Sequence, residues 1–234
     1  MRVLVVTAVP VERDAVTRAF RGGAEPAVHR IPGAEIHRAG PFDVLAGEAG
    51  PAAAAASAAF ALAAGRYDLV VSAGIGGGFA PAAPVGSLVV ASRIVAADLG
   101  AETPDGFLPV TELGFGRSHH LPPRSLVRAV AAASGAATGE VLTVSTVTGS
   151  AERAAGLLAA HPDALAEAME GFGVAEAAAR LDLPVLELRA VSNAVGPRDR
   201  DAWRIGDALA ALTGAFGTLT PVLEGWTHHD RTDS

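Results

Sequence analysis

Short runs of β-branched residues alternate with longer runs rich in Ala and Leu along almost the whole chain. The first pair is the apolar stretch Val3–Thr7 and a helix-like stretch at 11–20, whose first turn suits Pro10. This alternation is typical of a sheet whose strands are connected and covered by helices. It therefore predicts an α/β domain, and 50% apolar content in 234 residues is enough to fill its core.

The pattern continues without a linker or an internal repeat, which predicts a single domain over residues 1–226 and a flexible tail over 227–234. Further strands are expected at 35–38, 42–46, 68–72, 87–96, 140–145 and 185–192. Further helices are expected at 51–64, 125–133 and 173–181, after Ser150 and from about Asp201.

Two segments of this pattern are less regular. The segment 99–121 is expected to be a loop, because Gly, Pro and Thr are scattered through it. The segment 163–170 stays open: its Ala content favours a helix, whereas the alternation of Leu165, Glu167 and Met169 suits a strand.

Net charge and missing residue types exclude several functions. The 18 basic residues are all Arg, and the 25 acidic residues leave a net charge of −7, which argues against general nucleic-acid binding. The absence of Lys excludes Schiff-base catalysis, and the absence of Cys excludes thiol nucleophiles and thiolate metal sites. The N-terminal apolar run is too short for a signal peptide, and the longest Ala-rich stretch, 52–64, is well short of a membrane span, so we expect a cytoplasmic protein.

A glycine-rich segment, 74–78, follows the strand expected at 68–72. It does not match the dinucleotide-binding fingerprint, because Phe79 takes the place of the third glycine and prolines follow instead of a helix. Its four glycines still let the backbone approach another object closely, either a neighbouring strand or a ligand. A position at the carboxyl end of a strand favours the ligand.

Three polar residues lie at or near the ends of strands, and each has an ordinary structural explanation. Glu12 could stabilise the dipole of a helix from its first turn. Glu170 could be a solvated acid at a helix start, and Asn193 could be a turn former that bonds its own backbone. None is decisive alone, but with the glycine segment they put ligand-type groups at four strand ends.

The order and separations of these signals resemble those of the nucleoside phosphorylase and nucleosidase superfamily. Within it the chain is most similar to the futalosine hydrolases, which are relatives of the methylthioadenosine/S-adenosylhomocysteine nucleosidases. The resemblance covers residues 1–225, and it implies a three-layer α/β sandwich with a central, mixed and twisted sheet. Its most specific motifs are 72–80, Gly149-Ser150, Met169-Glu170-Gly171 and Arg189-Ala190-Val191-Ser192-Asn193.

The resemblance implies hydrolysis of the N-ribosidic bond of a purine nucleoside, a reaction that passes through an oxocarbenium-like ribosyl cation. It assigns Glu12 to the activation of water, Glu170 to the ribose hydroxyls and Asn193 to the departing purine, so that Glu12 and Asn193 are the expected catalytic residues. Further substrate contacts are expected at Gly74, Ile75, Gly76, Val147, Met169 and Ser192.

The resemblance also bears on cofactors and partners. It implies no metal and no organic cofactor. The expected partner is a small nucleoside, rather than a nucleic acid or a membrane. It further implies a homo-oligomer, a dimer or larger, in which the segment 99–121 closes the pocket of a neighbouring copy.

Asn193 indicates which purine leaves. Adenine-specific relatives carry Ser-Asp at this strand end, whereas this chain has Ser192-Asn193. An amide NH2 can donate to N7 and O6 of a 6-oxopurine, whereas the 6-amino group of adenine would face the same donor. The expected reaction is therefore the release of hypoxanthine from futalosine, which leaves dehypoxanthine futalosine on the route to menaquinone, with the leaving base assisted by hydrogen bonding.

Other functions and residues remain to be weighed. Hydrolysis of methylthioadenosine or S-adenosylhomocysteine and non-catalytic nucleoside binding stay open. A phosphorylase is disfavoured, because Glu12 stands where phosphorolytic relatives bind phosphate and would repel a dianion. Arg13 and Arg18, which could otherwise serve phosphate, are expected to be solvated helix residues.

Three further groups of polar residues have two interpretations each. Arg198 and Arg200 could meet the carboxylate on the aromatic tail of futalosine, or pair with Asp199 or Asp201. Asp98 and Glu102 could line the site or cap a loop. The adjacent histidines chelate a metal poorly, so both pairs are expected on the surface: His119-His120 and His228-His229.

Overall fold

The computed structural model describes residues 1–20 and 25–226, so the predicted tail at 227–234 and the pair His228-His229 lie outside the described residues. The strands are β1 (Val3–Thr7), β2 (Ala27–Ile31), β3 (Ala34–Ala39), β4 (Phe42–Ala46), β5 (Leu69–Gly78), β6 (Leu88–Ala96), β7 (Gly100–Thr103), β8 (Gly106–Pro109), β9 (His119–His120), β10 (Ala137–Thr143), β11 (Ala164–Ala168) and β12 (Val185–Ala194). The helices are α1 (Pro10–Phe20), α2 (Pro51–Ala64), α3 (Arg124–Ser134), α4 (Ala151–Ala160), α5 (Gly171–Ala179) and α6 (Ile205–Gly225), with a 3-10 turn at Arg200–Ala202.

All of these strands except β7 and β8 belong to one mixed sheet, in the order β11-β10-β6-β12-β5-β1-β4-β3-β2, with β9 paired to β6. β1 runs parallel to β4 and β5, whereas β12 runs antiparallel to β6. β11 also pairs with the end of β5, where Glu167 lies opposite Gly77. The strands β5, β12, β6, β10 and β11 therefore form a closed ring, which we call the strand ring.

Helices cover both faces of the sheet. On one face α2 and α5 pack through fully buried residues such as Ala58 and Val174. On the other face α1, α3 and α6 pack through Val16, Leu126 and Phe216. Apolar residues that recur along one side of a helix have to be buried against another layer. The α/β class with a central mixed sheet is confirmed.

The sequence explains several helix ends. α2 begins with Pro51 at its first position, after Gly50, whose φ of 97° is a conformation that glycine adopts easily. Ser150 caps α4, because its side chain accepts a hydrogen bond from the backbone N–H of Arg153. α3 ends at Gly135, which has the left-handed conformation that commonly closes a helix.

One helix in the described part of the chain, Arg200–Gly225, is long and apolar enough by length and composition to cross a membrane. Core helices of water-soluble proteins pass the same test. The side of α6 that carries Leu212 and Phe216 is buried against the sheet. Thr213 on α6 also donates a hydrogen bond to the carbonyl of Ala15 on α1, over 2.8 Å. α6 is therefore packed as an outer-layer helix of the sandwich.

Several expectations about elements need correction. The strand expected at 68–72 continues as β5 to Gly78, so the segment 74–78 is strand rather than loop. The segment 99–121 contains the hairpin β7–β8 and the short strand β9, rather than loop alone. β2 was not predicted, because four of its five residues are exposed and it lacks an apolar signal. The open segment 163–170 forms the strand β11, which lies between β10 and the end of β5.

Candidate active site

Glu12 lies in the first turn of α1, directly after β1, and is only 3% exposed. Its Oε2 accepts hydrogen bonds from the backbone N–H groups of Ala8 at 2.9 Å and Val9 at 3.3 Å. Its Oε1 accepts from the backbone N–H of Ile75 on β5, at 2.9 Å. Glu12 thus accepts hydrogen bonds from backbone N–H groups at the start of its own helix, which agrees with the ordinary explanation. It also joins this turn to the glycine-rich end of β5.

The environment of Glu12 raises the pKa of its carboxyl group. Burial raises the pKa of Glu12 above its ordinary value, and the negative charge of Glu170 adds to the rise. The hydrogen bond from Ile75 and the positive charge of Arg189 act in the opposite direction, and they do not cancel the effect of burial. A carboxylate with a raised pKa is a better proton acceptor than an ordinary one.

Glu170 occupies the position just before α5 and is 5% exposed, so it is not the solvated acid of the ordinary explanation. Its Oε1 accepts from the backbone N–H of Gly50 at 3.3 Å, which brings the start of α2 to the site. Its Oε2 accepts from Nη1 of Arg189 at 3.1 Å. Because an ion pair this deeply buried needs its partners to be held in place, the position of Glu170 depends on Arg189.

Arg189 connects the acids, and no role was predicted for it although it stands in one of the quoted motifs. Its guanidinium, 1% exposed, donates to Glu187 Oε1 at 2.9 Å, to Glu170 Oε2 at 3.1 Å and to Ser72 Oγ at 3.0 Å. Burial alone would lower the pKa of Arg189, but the charges of Glu187, Glu170 and Glu12 outweigh burial and raise it. The available signal was the charged pair Glu187 and Arg189 on one face of an otherwise apolar strand.

Gly74 lies where Glu12 and Arg189 meet. A β-carbon at this position would stand 2.8 Å from Arg189 Nη1 and 2.8 Å from Glu12 Oε1. Further along β5, a β-carbon on Gly76 would stand 2.8 Å from the carbonyl oxygen of Glu167. Neighbouring side chains and strands therefore come so close to Gly74 and Gly76 that a β-carbon would displace them, which agrees with the packing alternative. A contact between these glycines and a ligand remains a prediction.

Ser192 and Asn193 lie at the end of β12, where Asn193 is opposite Gly77 of β5. Ser192 is 1% exposed, and its hydroxyl lies 2.9 Å from Asn193 Oδ1 and 3.3 Å from the carbonyl oxygen of Gly76. Asn193 Nδ2 donates to the carbonyl of Ala194 at 3.1 Å. Ser192 thus orients the amide of Asn193 next to the glycine-rich strand.

Val147 and Met169 flank the same end of the sheet. Val147 is 38% exposed, and its neighbour Thr148 is fixed to Glu167 of β11 through its backbone N–H, at 2.8 Å, and through its hydroxyl. Met169 follows β11 directly, and its backbone N–H lies 3.4 Å from Glu170 Oε2. Glu167 and Thr148 were not predicted to matter here, and they tie the segment with Val147 to the strand ring.

The two arginines after Asn193 lie on an aromatic ring. The guanidinium carbons of Arg198 and Arg200 are 5.4 Å and 5.8 Å from the centre of the ring of Trp203. In the described part of the chain the carboxylate of Asp199 accepts a hydrogen bond from the backbone N–H of Asp201, and it makes no ion pair with Arg198 or Arg200. The pairing with Asp199 or Asp201 is therefore wrong for the described residues.

Other polar residues serve local structure. Asp98 accepts from the backbone N–H of Ser145 at 2.7 Å, so it fixes a loop, and Glu102 lies exposed on β7. The surface prediction is wrong for His120, which is 7% exposed and lies 2.9 Å from a carboxylate oxygen of Glu176. Among the described residues no group of three or more His, Asp and Glu side chains could hold a metal ion.

The two helix arginines that were weighed as phosphate ligands differ in their exposure to solvent. Arg18 is exposed, as expected. The side chain of Arg13 is only 13% exposed and pairs with Asp14 at 3.0 Å, so the prediction of a solvated residue is wrong for it. Arg13 is thus already engaged by its own helix.

Comparison with known proteins agrees with the resemblance. A model of the phosphorylase superfamily matches residues 2–218. The futalosine hydrolase of Streptomyces coelicolor is 69% identical over 238 residues, which cover 99% of this chain and 100% of the relative.

Solved structures share the fold. The futalosine hydrolase of Helicobacter pylori superposes with a TM-score of 0.81 at 17% identity, covering 95% of this chain and 98% of that one. A 5'-methylthioadenosine/S-adenosylhomocysteine nucleosidase from Colwellia psychrerythraea, solved with adenine, has a TM-score of 0.78 at 22% identity and covers 96% of this chain and 95% of its own. The chain therefore belongs to the phosphorylase superfamily and, within it, to the family of the futalosine hydrolases.

Proposed function

We propose that this protein hydrolyses the N-ribosidic bond of futalosine, releasing hypoxanthine and dehypoxanthine futalosine as a step toward menaquinone. The observation that carries the proposal is the joining of two buried carboxylates, Glu12 and Glu170, through the glycine-rich strand and Arg189, beside the neutral amide of Asn193. Negative groups at this point stabilise a positive ribosyl group as it forms. The identity to the Streptomyces coelicolor enzyme over the full chain supports the same substrate.

In the proposed reaction Glu12 and Glu170 divide the work on the sugar. A water molecule attacks the anomeric carbon while the bond from that carbon to the purine nitrogen breaks. The bonding electrons leave with the base, which takes up a proton from water after it departs. Glu12 takes the proton that the water loses, a task that suits its raised pKa. Glu170 accepts hydrogen bonds from ribose hydroxyls and holds the sugar in place.

Asn193 selects the base. Its Oδ1 lies against the Ser192 hydroxyl and one Nδ2 hydrogen goes to Ala194, so the other Nδ2 hydrogen can serve a ligand. A single N–H donor suits the acceptors N7 and O6 of hypoxanthine and stabilises the charge that reaches the departing base. The exposed side chain of Val147 and that of Met169 supply apolar contact with the base and sugar.

The aromatic tail of futalosine has a matching group of side chains. The backbone N–H of Arg204 donates to the carbonyl of Ser192 at 2.8 Å, which brings the segment with Arg198, Arg200 and Trp203 back to the end of β12 that carries Asn193. The guanidinium groups of Arg198 and Arg200, which lie over the ring of Trp203, suit a carboxylate on such a tail. These features favour futalosine over a nucleoside that lacks the tail.

We further propose that the enzyme works in the cytoplasm as a single domain over residues 1–226, without metal or organic cofactor, and as a homo-oligomer. Exposed apolar side chains in the segment 99–121 support association: Phe107 is 51% exposed, Phe115 69% and Leu121 67%. Apolar side chains exposed together commonly mark a contact surface. Sedimentation analysis of the purified protein tests the oligomer.

The substrate is tested by comparing three nucleosides with the same enzyme preparation. Futalosine supplies hypoxanthine and the tail, inosine supplies hypoxanthine without the tail, and methylthioadenosine supplies adenine. We expect kcat/KM to be highest for futalosine, with chromatography showing release of hypoxanthine. Faster release of adenine from methylthioadenosine would instead make the protein a methylthioadenosine nucleosidase, and binding without release from any of the three would make it a nucleoside-binding protein.

A further inference from the structure

Glu187 is a fully buried acid on β12 for which the proposed reaction has no use. Its Oε1 accepts a hydrogen bond from Nε of Arg189 at 2.9 Å. Its Oε2 has no hydrogen-bond partner among the described residues. A buried carboxylate that is only half satisfied costs stability, so its presence calls for an explanation.

Glu187 also contacts the segment that carries Glu170. A β-carbon on Gly171 would stand 2.1 Å from Glu187 Oε2 and 2.3 Å from Glu187 Oε1, so the carboxylate packs directly against the glycine that follows Glu170. Glu187 therefore reaches Glu170 by two routes, through the guanidinium of Arg189 and through the backbone at Gly171.

Arg189 can rotate about its last bonds unless each nitrogen is held. Glu187 holds Nε, Ser72 holds Nη2 at 3.0 Å, and Nη1 is then directed at Glu170. The same Nη1 lies against Gly74, at the point where Glu12 also lies. Glu187 and Ser72 thus set the orientation of the Arg189 guanidinium, and with it the position of Nη1 relative to Glu170 and Glu12.

We propose that Glu187 is a positioning residue of the hydrolase: it fixes the guanidinium of Arg189, and through it the orientation of Glu170 toward the ribose and of Glu12 toward the water. The inference rests on the proposed hydrolysis of futalosine.

The charges that face Glu187 agree with a positioning role. Burial raises the pKa of Glu187 to about 7, and the charge of Glu170 adds to the rise, whereas the charge and hydrogen bond of Arg189 lower it. Near neutral pH Glu187 is therefore partly the neutral acid. What Arg189 needs from it is an acceptor at Oε1 rather than a full negative charge, and Gln supplies such an acceptor.

The test compares E187Q and E187L. Gln keeps the acceptor for Arg189 Nε, and its NH2 takes the place of an oxygen that bonds to nothing in the described chain. Leu has a similar volume but leaves Nε of a buried guanidinium without a partner, so Arg189 turns away from Glu170. We expect E187Q to keep kcat/KM for futalosine within about threefold of wild type, and E187L to lose about tenfold or more through both a higher KM and a lower kcat.

A matched control separates positioning from stability. Asp43 is a fully buried, ion-paired acid on β4, away from the site. We expect D43N to lower the melting temperature without changing kcat or KM at a temperature where it is folded. E187L kinetics at the wild-type level, or a loss in E187Q as large as in E187L, would overturn the positioning role. Absence of futalosine hydrolysis in the wild-type protein would overturn the proposed function instead. If E187L does not fold, E187Q decides: kcat/KM within about threefold of wild type supports the role, and activity far below wild type in a folded E187Q contradicts it.

Discussion

At the scale of single residues, the site depends on how a buried charge is paired. Arg189 is surrounded by Glu170, Glu187 and, across Gly74, by Glu12, so three acids share one guanidinium. Removing one partner from such a group leaves the others uncompensated, which costs more than a surface ion pair does. The members therefore act as a unit, and their effects on activity will not be additive.

The pH dependence of activity tests the role of Glu12. Because burial raises the pKa of Glu12, its carboxylate takes up a proton at a higher pH than an ordinary Glu does. We expect kcat/KM for futalosine to fall as the pH is lowered through this raised pKa, with a midpoint above 4.5, the ordinary value. The E12Q variant should lose about 100-fold or more in kcat while still binding substrate. An E12Q enzyme with wild-type turnover would remove Glu12 from the reaction.

The choice of base tests Asn193. In N193D a carboxylate replaces the amide, accepts from the 6-amino group of an aminopurine and repels O6 of hypoxanthine. We expect the ratio of kcat/KM for the 6-amino counterpart of futalosine to that for futalosine to rise about tenfold or more. Ser192 still lies beside the new carboxylate. An unchanged ratio in N193D would show that residue 193 does not contact the 6-position.

At the scale of elements, the sequence predicts the helices and strands whose ends depend on local residue patterns. It misses the strands that depend on pairing with distant parts of the chain. α2 was predicted with its observed ends, because Pro51 starts it and its Ala-rich run continues to Ala64. The extent of β5 was not, because glycines have little preference for strands and the segment is extended only through pairing with β12 and β11. β2 lacked an apolar signal for a similar reason: among the described strands it pairs with β3 alone.

The same distinction applies to the site. Glu12, Glu170 and Asn193 could be predicted as site residues because they stand at strand ends in motifs that resemble a known superfamily. The link between the acids through Arg189 and Ser72 joins residues 117 positions apart in the chain, and no spacing in the sequence indicates it.

Gly78 tests whether β5 needs glycine for packing. A β-carbon there would stand 2.1 Å from the carbonyl oxygen of Ala83 and 2.6 Å from a methyl group of Val191. We expect G78A to lower the free energy of unfolding by about 1–3 kcal/mol or more. Gly156 in α4 is the matched control, because it is exposed and has nothing within 4 Å of a β-carbon. G156A should raise the same free energy by up to about 1 kcal/mol. Equal effects of the two variants in urea unfolding would contradict this.

At the scale of the whole molecule, two buried acids at separate places in the sheet shape stability in opposite pH ranges. Burial works to raise the pKa of Asp43, but hydrogen bonds from Arg38, Tyr67 and Arg2 outweigh it and leave the pKa below its ordinary value. Glu187 has the reverse balance, and its pKa is raised to about 7. One acid therefore favours folding when it is ionised, and the other when it is protonated.

Urea unfolding as a function of pH tests this balance. Between pH 4.5, the ordinary pKa, and about 7 the folded protein keeps a proton on Glu187 that the unfolded chain releases, so stability falls as the pH rises. Asp43 contributes stability above 3.8, its ordinary pKa, and that contribution is lost as the pH falls through its lower folded value. We expect E187Q to reduce the loss toward neutral pH and D43N to reduce the loss in acid. If the free energy of unfolding of E187Q falls between pH 4.5 and 7 as steeply as that of wild type, the raised pKa of Glu187 is contradicted.

The strand ring has a consequence for how the protein avoids misassembly. A glycine-rich strand exposes bare peptide groups, and an unpaired strand edge is the kind of template on which other chains aggregate. At Gly77 and Gly78 the backbone is flanked by β12 on one side and β11 on the other. This glycine-rich part of β5 is therefore paired on both edges, so that neither edge is open to a strand of another molecule.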